Sequence, residues 1–165
     1  MLEPMLTEIR EEAAITKRVL ERVPPDRLSW RPHPKSMSLG KLALHVATIP
    51  AGIAKLAQLD EFDASQANFE PPAPGDVKEI HDVFDQSVQA AEDCLTGMSE
   101  QQALANWRLT ARGKELLCKP RTWLLRSIML NHWYHHRGQL SVYLRLLDVP
   151  VPVIYGRSAD ENPFS

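Results

Sequence analysis

The sequence predicts an all-α protein that folds as a four-helix bundle with long connections and an extended C-terminal tail. Four stretches place apolar residues at every third or fourth position, which is the spacing of one face of an α-helix. The stretches between them are rich in proline and polar residues and show no regular spacing. Amphipathic helices of this length bury their apolar faces against one another, and a bundle achieves this.

Residues at the ends of the helices support the predicted boundaries. Pro24 ends the first helix, because the residue before a proline disfavours the helical conformation. Ser38 and Asp76 are suited to cap the second and third helices, since their side-chain oxygens accept backbone N–H groups. Gly97 is predicted to close the third helix in the left-handed conformation. The predicted helices span, in order, residues 3–23, 39–59, 76–95 and 121–147.

Two connections are long enough to carry structure of their own. Residues 60–75 are acidic and proline-rich, and we interpret them as a surface loop or lid. Residues 99–120 begin with a short helix. The rest of that connection is either a strand pair around Arg112 and Gly113 or an extended cover, and the spacing leaves both open.

The length and composition are those of one ordinary domain spanning residues 1–165, with 44% hydrophobic and 24% charged residues. The net charge of −2 and the scattered basic residues argue against a nucleic-acid partner. No apolar stretch approaches the ~20 residues that cross a membrane, and the acidic N-terminus is unlike a signal peptide. Cys94 and Cys118 make no disulfide framework, so we expect a cytoplasmic protein.

The last predicted helix carries two histidines in the middle of its apolar face. His132 and His136 are one turn apart, so both imidazoles leave the same side of the helix. His45 occupies the same kind of position on the second helix. A buried polar group needs a partner, and histidine is the commonest protein ligand for a metal ion. We therefore expect these three histidines to meet around a metal ion, with hydrogen-bonded core histidines as the alternative.

Four residues near the histidines are candidates for contact with a substrate. Gln139 and Tyr143 continue the histidine face along the last helix. Trp133 occupies the place where a zincin motif would carry its glutamate base. Trp30 comes from a proline-rich connection. Packing in the core is the alternative for each of the four. His135 lies too far from the face of the helix that carries His132 and His136, here called the histidine stripe, to share the ion.

Three further residues bear on how the helices pack. Pro50 lacks the N–H that would bond to the carbonyl of Val46, so that carbonyl is expected to be free. Glu12 falls on the charged face of the first helix, which we interpret as solvated. Arg137 points away from the histidine stripe and is expected to face solvent or a neighbouring element.

Three strings of the sequence point to a family: SWRPHPKSMSLGKLALHVA, NHWYHHRGQLSVYLRLLDVPVP and IYGRSADEN. The strongest marker is His-x-x-x-His-Arg-Gly-Gln-Leu combined with a histidine early in the second helix. Over most of its length the chain resembles the DinB/YfiT-like superfamily of bacterial metalloproteins. The resemblance implies a four-helix bundle, often a homodimer, that holds a divalent metal through three histidines. The positions that match those ligands here are His45, His132 and His136.

The resemblance also implies a range of activities. Members of the family bind zinc or nickel, among other metals. Characterised relatives include bacillithiol S-transferases and mycothiol-dependent maleylpyruvate isomerases, and others are described as metal-dependent hydrolases. One departure is Trp133, which replaces the acidic or polar residue often found after the first histidine.

Two classes of function are consistent with the sequence. The first is an enzyme, either a thiol S-transferase that uses a low-molecular-weight thiol or a hydrolase, acting on a small molecule. The alternative is a non-catalytic metal-binding or stress-related interaction protein in which the ion only fixes helix packing. An open coordination position beside a pocket favours the enzyme, because catalytic sites keep such a position. No general base or other catalytic residue is assigned.

Overall fold

The structure is a computed structural model that describes residues 2–164. Its helices, in chain order, are α1 Glu3–Leu20, α2 Leu39–Ala57, α3 Val77–Gly97, α4 Glu100–Leu104, α5 Arg121–Trp123 and α6 Asn131–Leu146. A π-helical segment, Leu124–Leu130, joins α5 to α6, so that residues 121–146 form one continuous helix. Among the described residues, none of the helices is both long and apolar enough to cross a membrane.

The four long helical segments match the four predicted helices to within a few residues at each end. Ser38 and Asp76 cap α2 and α3 as predicted, each accepting a backbone N–H from the first turn at 3.3 and 2.8 Å. The prediction for Gly97 is wrong. Gly97 is the last residue of α3, and the chain leaves the helix through an extended residue (φ −82°, ψ 119°), so no left-handed cap is needed.

A small sheet corrects the all-α prediction. Strand β1 Glu61–Asp63 pairs in parallel with β2 Asn106–Ala111, and β2 pairs antiparallel with β3 Lys114–Pro120. The hairpin between β2 and β3 turns at Arg112 and Gly113, both at positive φ (51° and 76°), as a type I′ turn requires. Strand β1 has only three residues and is stabilised by pairing with β2. Three residues are too few for a periodic signal in the sequence.

The helices pack around α2, which contacts α3, α6 and the π-helical segment, while α1 contacts α3 and α6. The face of α6 that enters the core is not the histidine stripe. The buried residues of α6 are Trp133, Arg137, Leu140 and Leu144. The i→i+5 bonds of a π-helix offset the faces before and after it by about one residue. His132 and His136 therefore lie beside the core, half-buried, rather than inside it.

A buried ion pair ties α1, α6 and the C-terminal tail together. The side chain of Arg137 is 1% exposed and donates to the carboxylate of Glu12, to the hydroxyl of Thr16 at 3.0 Å and to the hydroxyl of Tyr155. Its guanidinium also lies 5.2 and 5.0 Å from the ring centres of Tyr134 and Tyr155. The prediction that Glu12 is solvated is wrong. It came from the periodicity of α1, which gives no information about a partner on another helix. Arg137 faces a neighbouring element rather than solvent.

A second buried arginine holds the sheet against the end of α2. Arg121 is 6% exposed, and its guanidinium donates to the carbonyls of Ala57 and Leu59, both at 2.8 Å. The same group donates to the carbonyls of Ala105 and Asn106, at 3.3 and 3.2 Å, where β2 begins. These bonds fix the strands beside α2 and the π segment. The strands form one wall of the site described below.

Replacing Arg137 with alanine should lower the free energy of unfolding by about 3 kcal/mol, because Glu12 would be left as an unpaired buried charge. The matched control is Arg145→Ala on the same helix. Arg145 pairs with Asp160 at the surface, where solvent screens the charges, so its loss should matter far less. Urea unfolding of both variants measures the difference, and equal losses would contradict the role given to Arg137.

Candidate metal centre

Helices α2 and α6 bring three imidazoles together at one point. The Nε2 atoms of His45 and His132 are 3.4 Å apart, and those of His132 and His136 are 2.7 Å apart. One ring nitrogen from each of the three residues lies within 4.8 Å of the others. All three side chains are half-buried. His132 and His136 of α6 and the distant His45 of α2, all three identified from the sequence, thus form one cluster that could hold a metal ion.

The alignment of α2 with α6 comes from a hydrogen bond next to the cluster. Trp133 donates its indole N–H to the carbonyl of Val46 at 3.0 Å. That carbonyl is free within α2 because Pro50, four residues on, has no N–H. Trp133 follows His132 and Val46 follows His45, so the bond sets the two histidine-bearing turns side by side.

A second hydrogen bond orients one of the imidazoles. Nδ1 of His136 lies 2.7 Å from the side-chain oxygen of Gln139, one turn along α6. Since an amide oxygen only accepts, Nδ1 carries the proton and Nε2 keeps its lone pair for the cluster. Bonds of this kind fix the tautomer and ring position of histidines that ligate metals.

The environment keeps the cluster uncharged at neutral pH. Burial, followed by the neighbouring His136 and His132, lowers the pKa of His45 from 6.5 to about 4. Burial is also the first cause that lowers the pKa of His132 and that of His136, and the nearby His135 adds to both effects. Neutral imidazoles have a free lone pair, so these rings are in the protonation state that metal coordination needs.

The donor set fits a divalent cation. Two imidazole nitrogens in a tetrahedral zinc site lie about 3.3 Å apart when each Zn–N bond is about 2.0 Å. The distance of 3.4 Å between His45 and His132 matches this spacing, and the 2.7 Å distance between His132 and His136 requires those rings to separate slightly. In the described part of the chain the cluster contains no carboxylate or thiolate. Three ligands leave at least one position open, as in catalytic sites.

A cavity of about 470 Å³ adjoins the cluster, and His45 and His132 form part of its wall. The remaining walls come from α2, the π segment, the β2–β3 hairpin and the segment 62–69. Its size is typical of pockets that bind small molecules. Sequence reasoning missed its lining outside the helices, which includes Phe62, Trp107 and Leu117. These residues lie in connections without helical periodicity, so nothing in the sequence linked them to the histidines.

The four residues predicted near the substrate have other contacts in the structure. Trp133 is completely buried behind the cluster, and Gln139 binds His136. Tyr143 donates its hydroxyl to the carbonyl of Met37 at 3.2 Å, and its ring packs edge-on against Trp30 at 5.7 Å between ring centres. Contact of these four residues with a substrate stays a prediction. His135 is exposed, as expected from its position off the stripe.

The stability of the metal-free protein should fall as the pH drops below 6.5. The lowered pKa of His45 means that the unfolded chain takes up this proton first, so stability is lost between pH 6.5 and about 4. For this half-exposed ring, and after allowing for solvent screening, we expect a loss of about 1 kcal/mol between pH 7 and pH 5. Urea unfolding of His45→Asn should show a smaller loss. The same pH dependence in His45→Asn and in the exposed-site control His33→Asn would contradict this account.

The protein purified without a histidine tag should contain close to one divalent ion per chain. His45→Ala should reduce this content several-fold, since it removes the ligand contributed by α2. His33→Ala provides the control, because His33 is exposed and bonds only locally, to the N–H of Lys35. Metal analysis by plasma mass spectrometry measures the result. An unchanged metal content in His45→Ala would remove the cluster from consideration as a metal site.

Comparisons with known proteins agree with this fold. The sequence matches the model of the DinB family over residues 1–162. The protein YrdA of Bacillus subtilis (strain 168) is 27% identical over 150 residues, covering 91% of this chain and 85% of YrdA. A crystal structure of a DinB-like protein from Bacillus cereus ATCC 10987 is similar with a TM-score of 0.73 at 25% identity, covering 93% of this chain and 97% of that one.

A second solved structure, the DinB-like protein YjoA from Bacillus subtilis, has the same fold. Its TM-score is 0.69 at 20% identity, and the match covers 94% of this chain and 99% of YjoA. The family match spans nearly the whole sequence. The chain therefore belongs to the DinB family.

Proposed function

We propose that the protein is a metal-dependent enzyme that transfers a low-molecular-weight thiol to a small electrophilic molecule. The observation that carries the proposal is a three-histidine cluster with an open side in the wall of a ligand-sized cavity. When bound, a divalent cation lowers the pKa of a coordinated thiol or water, so that a nucleophile is available near neutral pH. Zinc or nickel is the ion we expect.

In this proposal the chain's residues divide into two roles. His45, His132 and His136 hold the ion, and burial lowers the pKa of each, which favours the unprotonated rings. Gln139 orients His136, and the bond from Trp133 to α2 holds the two helices in register. These residues fix a position for the nucleophile at one end of the cavity. A fixed nucleophile and a bound electrophile react as neighbours, which is a large source of rate enhancement.

The choice of thiol over water rests on the absence of a general base. Neither the cluster nor the cavity lining contains an aspartate or glutamate in the described residues. Hydrolysis in zincins uses such a carboxylate to take a proton from water. A thiol loses its proton far more readily, so transfer needs less help. In the reaction, the thiol proton passes to solvent, the sulfur bonds to the electrophilic carbon, and the leaving group departs with its electron pair.

Hydrolysis is the second candidate, because the same open position accepts water. The non-catalytic alternative would be favoured by a closed, four-ligand site. The cluster has three ligands among the described residues, and His45 and His132 border the cavity, so the arrangement supports the enzyme. The homodimer expected from the resemblance stays a prediction.

Activity assays test this proposal. The metal-containing protein should accelerate the reaction of chlorodinitrobenzene with at least one of a panel of thiols that includes bacillithiol, mycothiol and cysteine. His132→Ala should lower the rate by at least about 100-fold, whereas the control His33→Ala should not. Nitrophenyl acetate serves as the hydrolysis substrate. Turnover of the ester without any thiol activity would favour the hydrolase, and no turnover of either would favour the non-catalytic alternative.

A further inference from the structure

The walls of the cavity beside the cluster are almost entirely hydrocarbon. Ile49, Leu124 and Trp107 are at most 4% exposed and form its most deeply buried lining. Phe62 and Leu117 contribute further apolar surface from the strands. No lining residue of the described chain is an aspartate, glutamate, lysine or arginine.

The few polar groups in the lining are largely committed to the protein. Trp107 donates its indole N–H to the carbonyl of Leu56 at 3.1 Å, which leaves the ring as apolar surface. Thr48 donates its hydroxyl to the carbonyl of His45 at 3.1 Å. Asn68 lies on the exposed side of the cavity, and its side-chain oxygen accepts the N–H of Glu70. Apart from these groups, the polar lining consists of the histidines.

This distribution selects for one kind of ligand. The volume of about 470 Å³ corresponds to roughly fifteen water molecules, which is enough for one or two aromatic rings. Burying such a body removes apolar surface from water, which favours binding. A carboxylate or sulfonate on the part of the body away from the histidines would be desolvated without a cationic side chain to pair with it.

We propose that this cavity binds the uncharged, apolar body of the substrate, aromatic or branched aliphatic, and that it discriminates against anionic substrates of the same shape. The reactive end of the substrate then lies at His45 and His132, which are the imidazoles of the described lining. The placement of that end rests on the proposed function. The selection for an uncharged body rests on the cavity walls alone, so it can be tested by binding.

Two substitutions change the cavity in different ways. Gly52 lines it from α2, and a Cβ at this position meets no atom within 4 Å, so Gly52→Leu can fill space without a backbone clash. Leu117 lines it from the edge strand β3, so Leu117→Lys would add a cationic side chain to that wall. Each has a matched control. Gly97→Leu makes the same change at another open helical glycine, and Leu116→Lys makes it at a neighbouring residue that is 55% exposed.

The experiment uses a pair of fluorescent probes that differ by one charge, phenylnaphthylamine and its sulfonate. Titration of the full-length protein should give a Kd for the neutral probe at least about tenfold below that of the sulfonate. Gly52→Leu should weaken binding of the neutral probe, and Gly97→Leu should not. Leu117→Lys should shift the preference toward the sulfonate by about tenfold, and Leu116→Lys should leave it unchanged. Equal affinities for the two probes, or no response to Gly52→Leu and Leu117→Lys, would overturn the inference.

A further titration separates this inference from the proposed function. The variant His45→Ala removes a metal ligand but leaves the apolar walls of the cavity in place. If the wild-type protein shows probe selectivity and no thiol transfer, the cavity inference stands and the proposed function fails. If His45→Ala loses transfer and keeps the preference for the neutral probe, both stand. Thiol transfer without any preference between the probes would remove the cavity inference alone.

Discussion

The hydrogen bond between Trp133 and the carbonyl of Val46 is the contact on which the site depends. Pro50 in α2 leaves the carbonyl without a helical partner, and the completely buried indole of Trp133 on α6 donates its N–H to it. The bond would be lost if either helix slid by one turn, so it specifies the register of the pair. A specified register is what allows His45, one residue before Val46, to approach histidines on another helix.

The π-helical segment decides how deep the cluster lies. By offsetting the helix faces, it directs Trp133 and Arg137 into the core and leaves His132 and His136 at the core's edge. There the two imidazoles are buried enough for their pKa values to be lowered, and His132 borders the open cavity. Deeper burial would have closed the site, and full exposure would have allowed protons to compete with a metal near neutral pH.

The three imidazoles come from the long helices alone, whereas the cavity wall also includes residues of the connections. The long helices hold the imidazoles, and Arg137 and Arg121 fasten those helices to the tail and the sheet. Short strands and the segment 62–69 form much of the cavity wall. Connections tolerate sequence change better than packed helices. The part of the cavity wall that lies in connections can therefore vary with less effect on the histidine cluster.

The four helices and the three histidines could be found from sequence, because helical periodicity and capping residues are local signals that survive folding. The free carbonyl of Val46 followed from Pro50 for the same reason. The pairing of β1 with β2, the burial of Glu12 against Arg137 and the cavity walls could not be found. Each depends on contact between residues far apart in the chain, and only the packed tertiary structure brings such residues together.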